Sequence, residues 1–291
     1  MHVLMISLDN SLLGDPHGNT VQRHIEYARR IGALSIVVYN PSARARRVTR
    51  LSDRLIVYPA NVPAPLGYPV AAFRRAARVH RERPADVVTT QDPFSTGLVG
   101  LTLKWRFGLP LDVQNHGSFF DNRNWICERP LRNRALHALG KFVVRRADTN
   151  RVLTEGEQRH YRALGIPAER VTVLPTPTHV DMFAAPVPGA DLAALRARLD
   201  LAPENPVALW VGLPGPVKHI ELLLDAFARA HAALPAARLV LVGDFSGRPA
   251  LAARAEREYV RLAGRVAHQD LPPYYALADV YAHSSRYEGF G

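Results

Sequence analysis

Short, nearly continuous apolar runs alternate with longer amphipathic stretches along almost the whole chain, and this alternation constrains the fold more than any other feature. In the first half the runs are His2–Leu8, Leu34–Tyr39, Leu55–Tyr58, Asp86–Thr90, Leu111–Asn115, Thr149–Leu153 and Val171–Leu174. In the second half they are Val207–Val211, Arg238–Val242, Val266–His268 and Val280–His283. Several are rich in Val, Ile and Leu without polar alternation, as parallel strands covered on both faces require. Helix-like stretches lie between them: Asn19–Ile31, Pro69–Arg83, Ser95–Phe107, Pro130–Arg146, Glu155–Leu164, Lys218–Leu234 and Pro249–Leu262. Gly32 is a plausible C-cap for the first. This βαβ order predicts an α/β fold with a doubly wound parallel sheet, and it occurs twice. Four prolines between Pro175 and Pro188 interrupt the pattern, giving expected domains 1–180 and 181–291. The second domain is expected to be incomplete, because it offers four candidate strands and the chain stops at the turn-like Tyr287-Glu288-Gly289-Phe290-Gly291.

Composition narrows the class. With 291 residues, 47% apolar and 22% charged, the chain reads as an ordinary soluble globular protein rather than a disordered or collagenous one. Its single cysteine, Cys127, cannot form an intramolecular disulfide, so nothing points to an oxidising compartment. The start, Met1 to Asp9, lacks a basic segment and a cleavage site and reads as a buried strand, not a signal peptide. No apolar run approaches the roughly 20 residues of a spanning helix. The expected location is the cytoplasm.

The net charge of +11 is unevenly placed: residues 1–180 carry +12 and residues 181–291 carry −1. Arg74, Arg78 and Arg81 fall on one stripe of a helix, with Arg75 and Arg83 nearby. Arg134, His137, Lys141 and Arg145 form a second stripe, and Arg44, Arg46, Arg47 and Arg50 a basic loop. A solvated helix face explains each stripe singly. Three clusters in one half favour an anionic partner, best a membrane surface on the inner face of the plasma membrane. Nucleic acid is disfavoured, since no recognition motif or aromatic stacking series is present.

Ligands of doubly wound sheets sit at the carboxyl ends of the strands, so the loops there carry the chemistry. The loop Leu13-Gly14-Asp15-Pro16-His17-Gly18-Asn19 lets the backbone approach a ligand and leads into a helix N-terminus. A surface loop is an equal reading. His116, directly after a buried strand in Gln114-Asn115-His116-Gly117, can donate a hydrogen bond to a substrate, although a structural histidine fits as well. Trp210-Val211-Gly212-Leu213-Pro214-Gly215-Pro216-Val217-Lys218 ends a strand in a Gly/Pro-rich loop opening a helix that carries Lys218. Backbone N–H groups, helix dipole and ammonium together can hold a phosphate there, or Lys218 can simply decorate the turn. Glu288, beside two glycines after the last strand, can accept hydrogen bonds from sugar hydroxyls, though alone it is an ordinary turn residue. The Gly-x-Gly-x-x-Gly fingerprint is absent, which disfavours an NAD-dependent enzyme. No metal cluster is visible.

The last two loops together resemble family 4 (group 1) retaining glycosyltransferases of GT-B fold. The run Leu277–Gly291 is similar to that family's nucleotide-sugar loop. Trp210–Lys218, Leu222–Phe227 and Leu239–Asp244 resemble the start of its donor domain. Residues 147–183 resemble its interdomain end, and the Gly14–Gly18 loop and His116-Gly117 its acceptor-side loops. The resemblance implies two Rossmann-like doubly wound domains, the first on the acceptor side and the second, incomplete, on the donor side. It implies transfer of a hexose from a UDP- or GDP-linked sugar to a glycan or lipid-linked acceptor, with no cofactor. Lys218 would bind the donor diphosphate, aided by Gly212 and Gly243. Glu288 would contact sugar hydroxyls with the backbone of Gly289, Phe290 and Gly291. His116 would sit near the anomeric centre, and Gly14, His17 and Gly18 would line the acceptor side. Front-face substitution, with the leaving phosphate taking the acceptor proton, is the implied mechanism.

Three departures qualify this expectation. Leu213 stands where the family usually places an arginine, which removes a cation from the leaving group, a loss of roughly 3–4 kcal/mol if uncompensated. Thr176-Pro177-Thr178-His179 replaces the usual Asn-Gly turn. The family's second glutamate, which holds the ribose, is absent after Glu288. Leu213 and the missing second glutamate support an alternative: a non-catalytic fragment or interaction subunit that keeps the basic membrane-facing surface.

Overall fold

The computed structural model describes residues 1–14, 18–41, 46–176 and 180–289. Two compact units divide the chain, Met1–Thr176 with Gly289–Gly291, and Pro177–Glu288. In the first, the strands are β1 (His2–Ser7), β2 (Ala33–Asn40), β3 (Thr49–Ser52), β4 (Leu55–Asn61), β5 (Val87–Thr90), β6 (Leu111–Gln114), β7 (Thr149–Val152) and β8 (Val171–Val173). Its helices are α1 (Asn19–Ile31), α2 (Tyr68–Glu82), α3 (Ser95–Phe107), α4 (Arg123–Glu128), α5 (Pro130–Val144) and α6 (Glu155–Ala163). The sheet order is β3-β4-β2-β1-β5-β6-β7-β8, and every pairing is parallel except that of β3 with β4.

Side-chain alternation sorts the strand residues between two cores. Leu4, Ile6 and Val37 face the layer built by α2, α3, α5 and α6, where Tyr68, Leu101, Leu103, Val143 and Tyr161 are buried. Val3, Met5, Ile36 and Val38 face α1, through Val21 and Ala28. Both faces are covered, which is why these strands read as unbroken apolar runs. Gly32 ends α1 at φ 107°, and its N–H donates to the Ala28 carbonyl. A side chain there would meet the Met1 carbonyl oxygen, so the position requires glycine.

The second unit contains α7 (Val180–Ala184), α8 (Gly189–Arg198), β9 (Val207–Val211), α9 (Ile220–Ala233), β10 (Arg238–Val242), α10 (Pro249–Ala255), β11 (Val260–Gly264), α11 (Pro272–Leu277) and β12 (Val280–Tyr281). Its four-stranded sheet is parallel throughout, in the order β11-β10-β9-β12. Leu239 and Leu241 pack with Trp210, Leu224 and Phe227 on one face, and Val240 and Val242 with Leu195 and Tyr274 on the other.

Three expectations are corrected. The strand expected at Val266–His268 lies earlier, at β11, and His268–Asp270 is a 3-10 turn. The helix expected over Pro249–Leu262 stops at Ala255, because β11 is an edge strand whose half-exposed residues include Arg261, paired with Asp200 at 2.7 Å. Its mixed pattern extends the helical period without being helix. The helix expected to carry Lys218 begins only at Ile220. Among the described residues no helix is long and apolar enough to cross a membrane.

Candidate functional site

In the second unit, the loop after β9 turns through a 3-10 segment, Pro216–Lys218, before α9. Lys218 therefore sits on the turn and not on the helix. His219 separates the two with left-handed backbone, φ 49° and ψ 48°, which non-glycine residues rarely adopt. Such strain persists only where the surroundings impose it. Here the loop after β12 supplies the constraint: Ser284 Oγ donates to the Lys218 carbonyl at 2.8 Å, and the Arg286 N–H donates to the Val217 carbonyl at 2.9 Å. The 14-residue α9 begins without a side-chain cap, and its Leu222 N–H donates to the His219 carbonyl at 3.0 Å.

Those clamps bring two predicted residues together. Lys218 Nζ donates to Glu288 Oε1 at 2.6 Å, and His283 Nε2 lies 3.1 Å from the same oxygen. Partial burial pushes the Glu288 carboxyl up, but the Lys218 hydrogen bond, the nearby Ser285 hydroxyl, the ammonium charge and His283 outweigh it and hold the group below the usual range. Leu213 is 75% exposed and brings no charge to the loop. Arg248 reaches the loop from elsewhere, donating to the Pro214 carbonyl at 3.1 Å and to Glu221 at 3.4 Å. The Arg286 guanidinium lies beside His219. Gly212 and Gly243 lie at adjoining strand ends, where a Cβ on Gly243 would overlap the Gly212 carbonyl oxygen. Close packing is thus reason enough for that glycine. Gly289 is the last described residue; Phe290 and Gly291 lie outside the described residues.

In the first unit, polar side chains run across β5, β6 and β7, from Thr149 at the start of β7 to Gln114 at the carboxyl end of β6. Register places Thr89 beside Asp112, Asp112 beside Thr149, and Gln114 beside Arg151. Arg151 Nη1 donates to Gln114 Oε1 at 2.9 Å, and His116 Nε2 lies 3.1 Å from that oxygen. His116 keeps an exposed edge, yet the protein around it withdraws water from the ring. That desolvation, followed by the Arg151 and Arg23 charges, pushes its pKa down to about 4. Behind it, buried Asn115 donates to Glu157 at 3.3 Å and accepts from the Gly117 N–H at 3.3 Å, which fixes the strand-to-loop turn. Gly14 closes the 3-10 turn Asn10–Leu13 and Gly18 is the N-cap of α1. His17 lies outside the described residues. Gln114 and Arg151 were missed by the sequence reading; their signal is a polar side chain near the carboxyl end of a buried strand.

Two doubly wound parallel sheets in one chain, each with polar loops at its strand ends, define the GT-B class. Residues 19–177 match the model of the glycosyl transferase 4-like domain and residues 205–291 that of glycosyl transferases group 1. The chain belongs to the group 1 glycosyltransferase family. It is 30% identical over 289 residues to a GDP-mannose-dependent alpha-mannosyltransferase of Mycobacterium tuberculosis, covering 94% of this chain and 70% of that protein. It is 31% identical over 246 residues to a D-inositol 3-phosphate glycosyltransferase of Kineococcus radiotolerans, covering 79% of this chain and 56% of that protein. Among solved structures, sucrose-phosphate synthase from Thermosynechococcus elongatus superposes with a TM-score of 0.77 at 20% identity, over 100% of this chain and 77% of that one. Anabaena HepE, solved with UDP and glucose, gives 0.67 at 19% identity, over 98% and 74%. Both structural likenesses are of fold.

Proposed function

We propose that the protein transfers a hexose from a nucleotide-diphosphate sugar to a glycan or lipid-linked acceptor, with retention at the anomeric carbon. The observation that carries this reading is the Lys218–Glu288 pair at 2.6 Å, held at the N-terminal turn before α9. A cation and the positive end of a helix suit a diphosphate, and a carboxylate beside them suits the hydroxyls of the attached sugar. The family supports the same reading: one relative is named for GDP-mannose, and one structural neighbour was solved with UDP and glucose.

In this reading the bond between the anomeric carbon and the phosphate oxygen breaks as the acceptor oxygen bonds to the same face. The acceptor proton passes to the departing phosphate. Lys218, the first-turn amides of α9 and the glycine backbone at 212 and 243 stabilise the charge that gathers there. Glu288 and the backbone of Gly289, Phe290 and Gly291 orient the sugar. By family resemblance His116 would act on the sugar, and the loop containing Gly14 and Gly18 on the acceptor; His17, assigned to the same loop, lies outside the described residues. The chain needs no cofactor in this scheme.

A membrane-linked acceptor is favoured by one surface. The first turns leading into α2 leave Leu66 95% exposed and Val70 55% exposed, and Arg74 and Arg78 follow Val70 at four-residue steps along the helix. Apolar residues flanked by arginines on a helix suit an anionic lipid surface. The protein would then work peripherally, on the cytoplasmic face. Exposed Leu213 favours the second reading, a donor site too weak for turnover. A screen of UDP- and GDP-sugars with a lipid-linked or glycan acceptor, reading the product anomer by NMR, decides between them. Transfer with retention supports the first reading; inverted product or no turnover with any donor overturns it.

A further inference from the structure

The polar row across β5, β6 and β7 fixes more than the position of His116. Both oxygens of Asp112 accept hydroxyl donors, Thr149 Oγ1 at 2.9 Å and Thr89 Oγ1 at 2.7 Å. A threonine hydroxyl has one hydrogen, so Thr89 can only accept from its other neighbour. That neighbour is the Gln114 amide nitrogen, at 3.0 Å. The amide oxygen is thereby turned toward His116 and Arg151. Arg151 confirms this orientation independently: a guanidinium only donates, and its Nη1 is 2.9 Å from Gln114 Oε1. A flipped amide would set N–H against N–H. Arg151 cannot swing away cheaply, since it also donates to the carbonyls of Leu174 at 2.9 Å and Pro175 at 3.0 Å.

His116 Nε2 lies 3.1 Å from this fixed acceptor and must carry a hydrogen to bond to it. We infer that Gln114 is a positioning residue: it holds His116 with its hydrogen on Nε2 and leaves Nδ1 as the lone-pair nitrogen, so that the histidine meets a sugar hydroxyl as a hydrogen-bond acceptor. The sugar in that statement rests on the proposed function; the tautomer does not. Desolvation of the ring, followed by the Arg151 and Arg23 charges, disfavours the doubly protonated form and leaves the neutral one in place. A neutral imidazole has one acceptor nitrogen, and which one it is follows from the bond the other makes.

The test is a two-bond nitrogen–proton correlation spectrum of the whole chain with 15N-labelled histidine, at neutral pH, with His116 assigned by its loss in His116→Gln. The expected result is the Nε2–H form in the wild type, the same form in Gln114→Glu, which keeps an acceptor, and a mixture with the Nδ1–H form in Gln114→Leu. An Nδ1–H wild type, or an unaltered tautomer in a folded Gln114→Leu, overturns the inference. Should Gln114→Leu not fold, the wild-type spectrum and Gln114→Glu still decide. In transfer assays, Gln114→Leu is expected to lower kcat by about tenfold while leaving the donor KM within about twofold, with recovery in Gln114→Glu. The expected tautomers with an unmoved kcat would instead overturn the placement of His116 at the sugar, which belongs to the functional reading.

Discussion

Replacing Glu288 by Gln separates two jobs that the site assigns to one carboxylate. Glu288 holds Lys218 at 2.6 Å, and the two side chains are 26% and 27% exposed. A diphosphate must take that ammonium or share it. Ion pairs this open to water are worth about 0–1 kcal/mol, so releasing Lys218 tightens binding of a bare nucleoside diphosphate by at most about fivefold. The attached sugar behaves oppositely. A hydrogen bond from a hydroxyl to a charged carboxylate contributes roughly 1.5–3 kcal/mol, and a neutral amide retains only part of it. Glu288→Gln should therefore leave UDP or GDP affinity unchanged or slightly improved, while weakening the corresponding sugar nucleotide by about 10-fold to 100-fold. Calorimetric titration with each nucleotide, bare and sugar-linked, reads both numbers. Equal weakening of the two would mean that Glu288 merely supports the loop, and the division of labour would be refuted.

Other perturbations follow from the same geometry. Gly243→Ala drives a methyl into the Gly212 carbonyl and should destabilise the second unit by about 1–3 kcal/mol or more in thermal unfolding, whereas Gly247→Ala, with open space around it, should not; equal melting of both variants would refute the packing argument. His24 is 2% exposed and its pKa is lowered by burial, so in the folded state it stays neutral where the unfolded chain binds a proton. Folding stability is then complete above the ordinary histidine value of about 6.5 and declines as pH falls below it; urea titrations from neutral to mildly acid pH should show that slope, reduced in His24→Gln, and an identical slope in the variant would count against it. Binding to anionic vesicles should weaken with salt and with Arg74→Glu plus Arg78→Glu, as a co-sedimentation assay would show; comparable binding to neutral vesicles removes the membrane surface from the account.

Much of the first unit is readable from residues alone because its strands are covered on both faces, and burial leaves them no polar alternation. Asn19–Ile31 and Ser95–Phe107 fall where the pattern places them. The misses share a cause. Strand β3 is an exposed antiparallel edge of sequence Thr-Arg-Leu-Ser, and β11 is a half-exposed edge. Neither buries enough to force a pattern. Short helices such as α4 and α8 lie outside the strand-helix rhythm. In the site, the loop sequence pointed to Lys218 and Glu288, but not to their direct pairing. The left-handed His219 is invisible in sequence because tertiary hydrogen bonds from Ser284 and Arg286 accompany it, and no glycine or asparagine marks it. Gln114 and Arg151 sit 37 residues apart on the consecutive strands β6 and β7, and only register makes them neighbours.

The central claim, that the turn at Lys218 grips a diphosphate, is tested most directly by titrating UDP and GDP into the wild type and Lys218→Ala. Loss of charge-assisted hydrogen bonds worth roughly 1.5–3 kcal/mol should raise Kd by about 10-fold to 150-fold, with the melting temperature of the free protein nearly unchanged. Wild-type affinity in a folded Lys218→Ala protein would contradict the account.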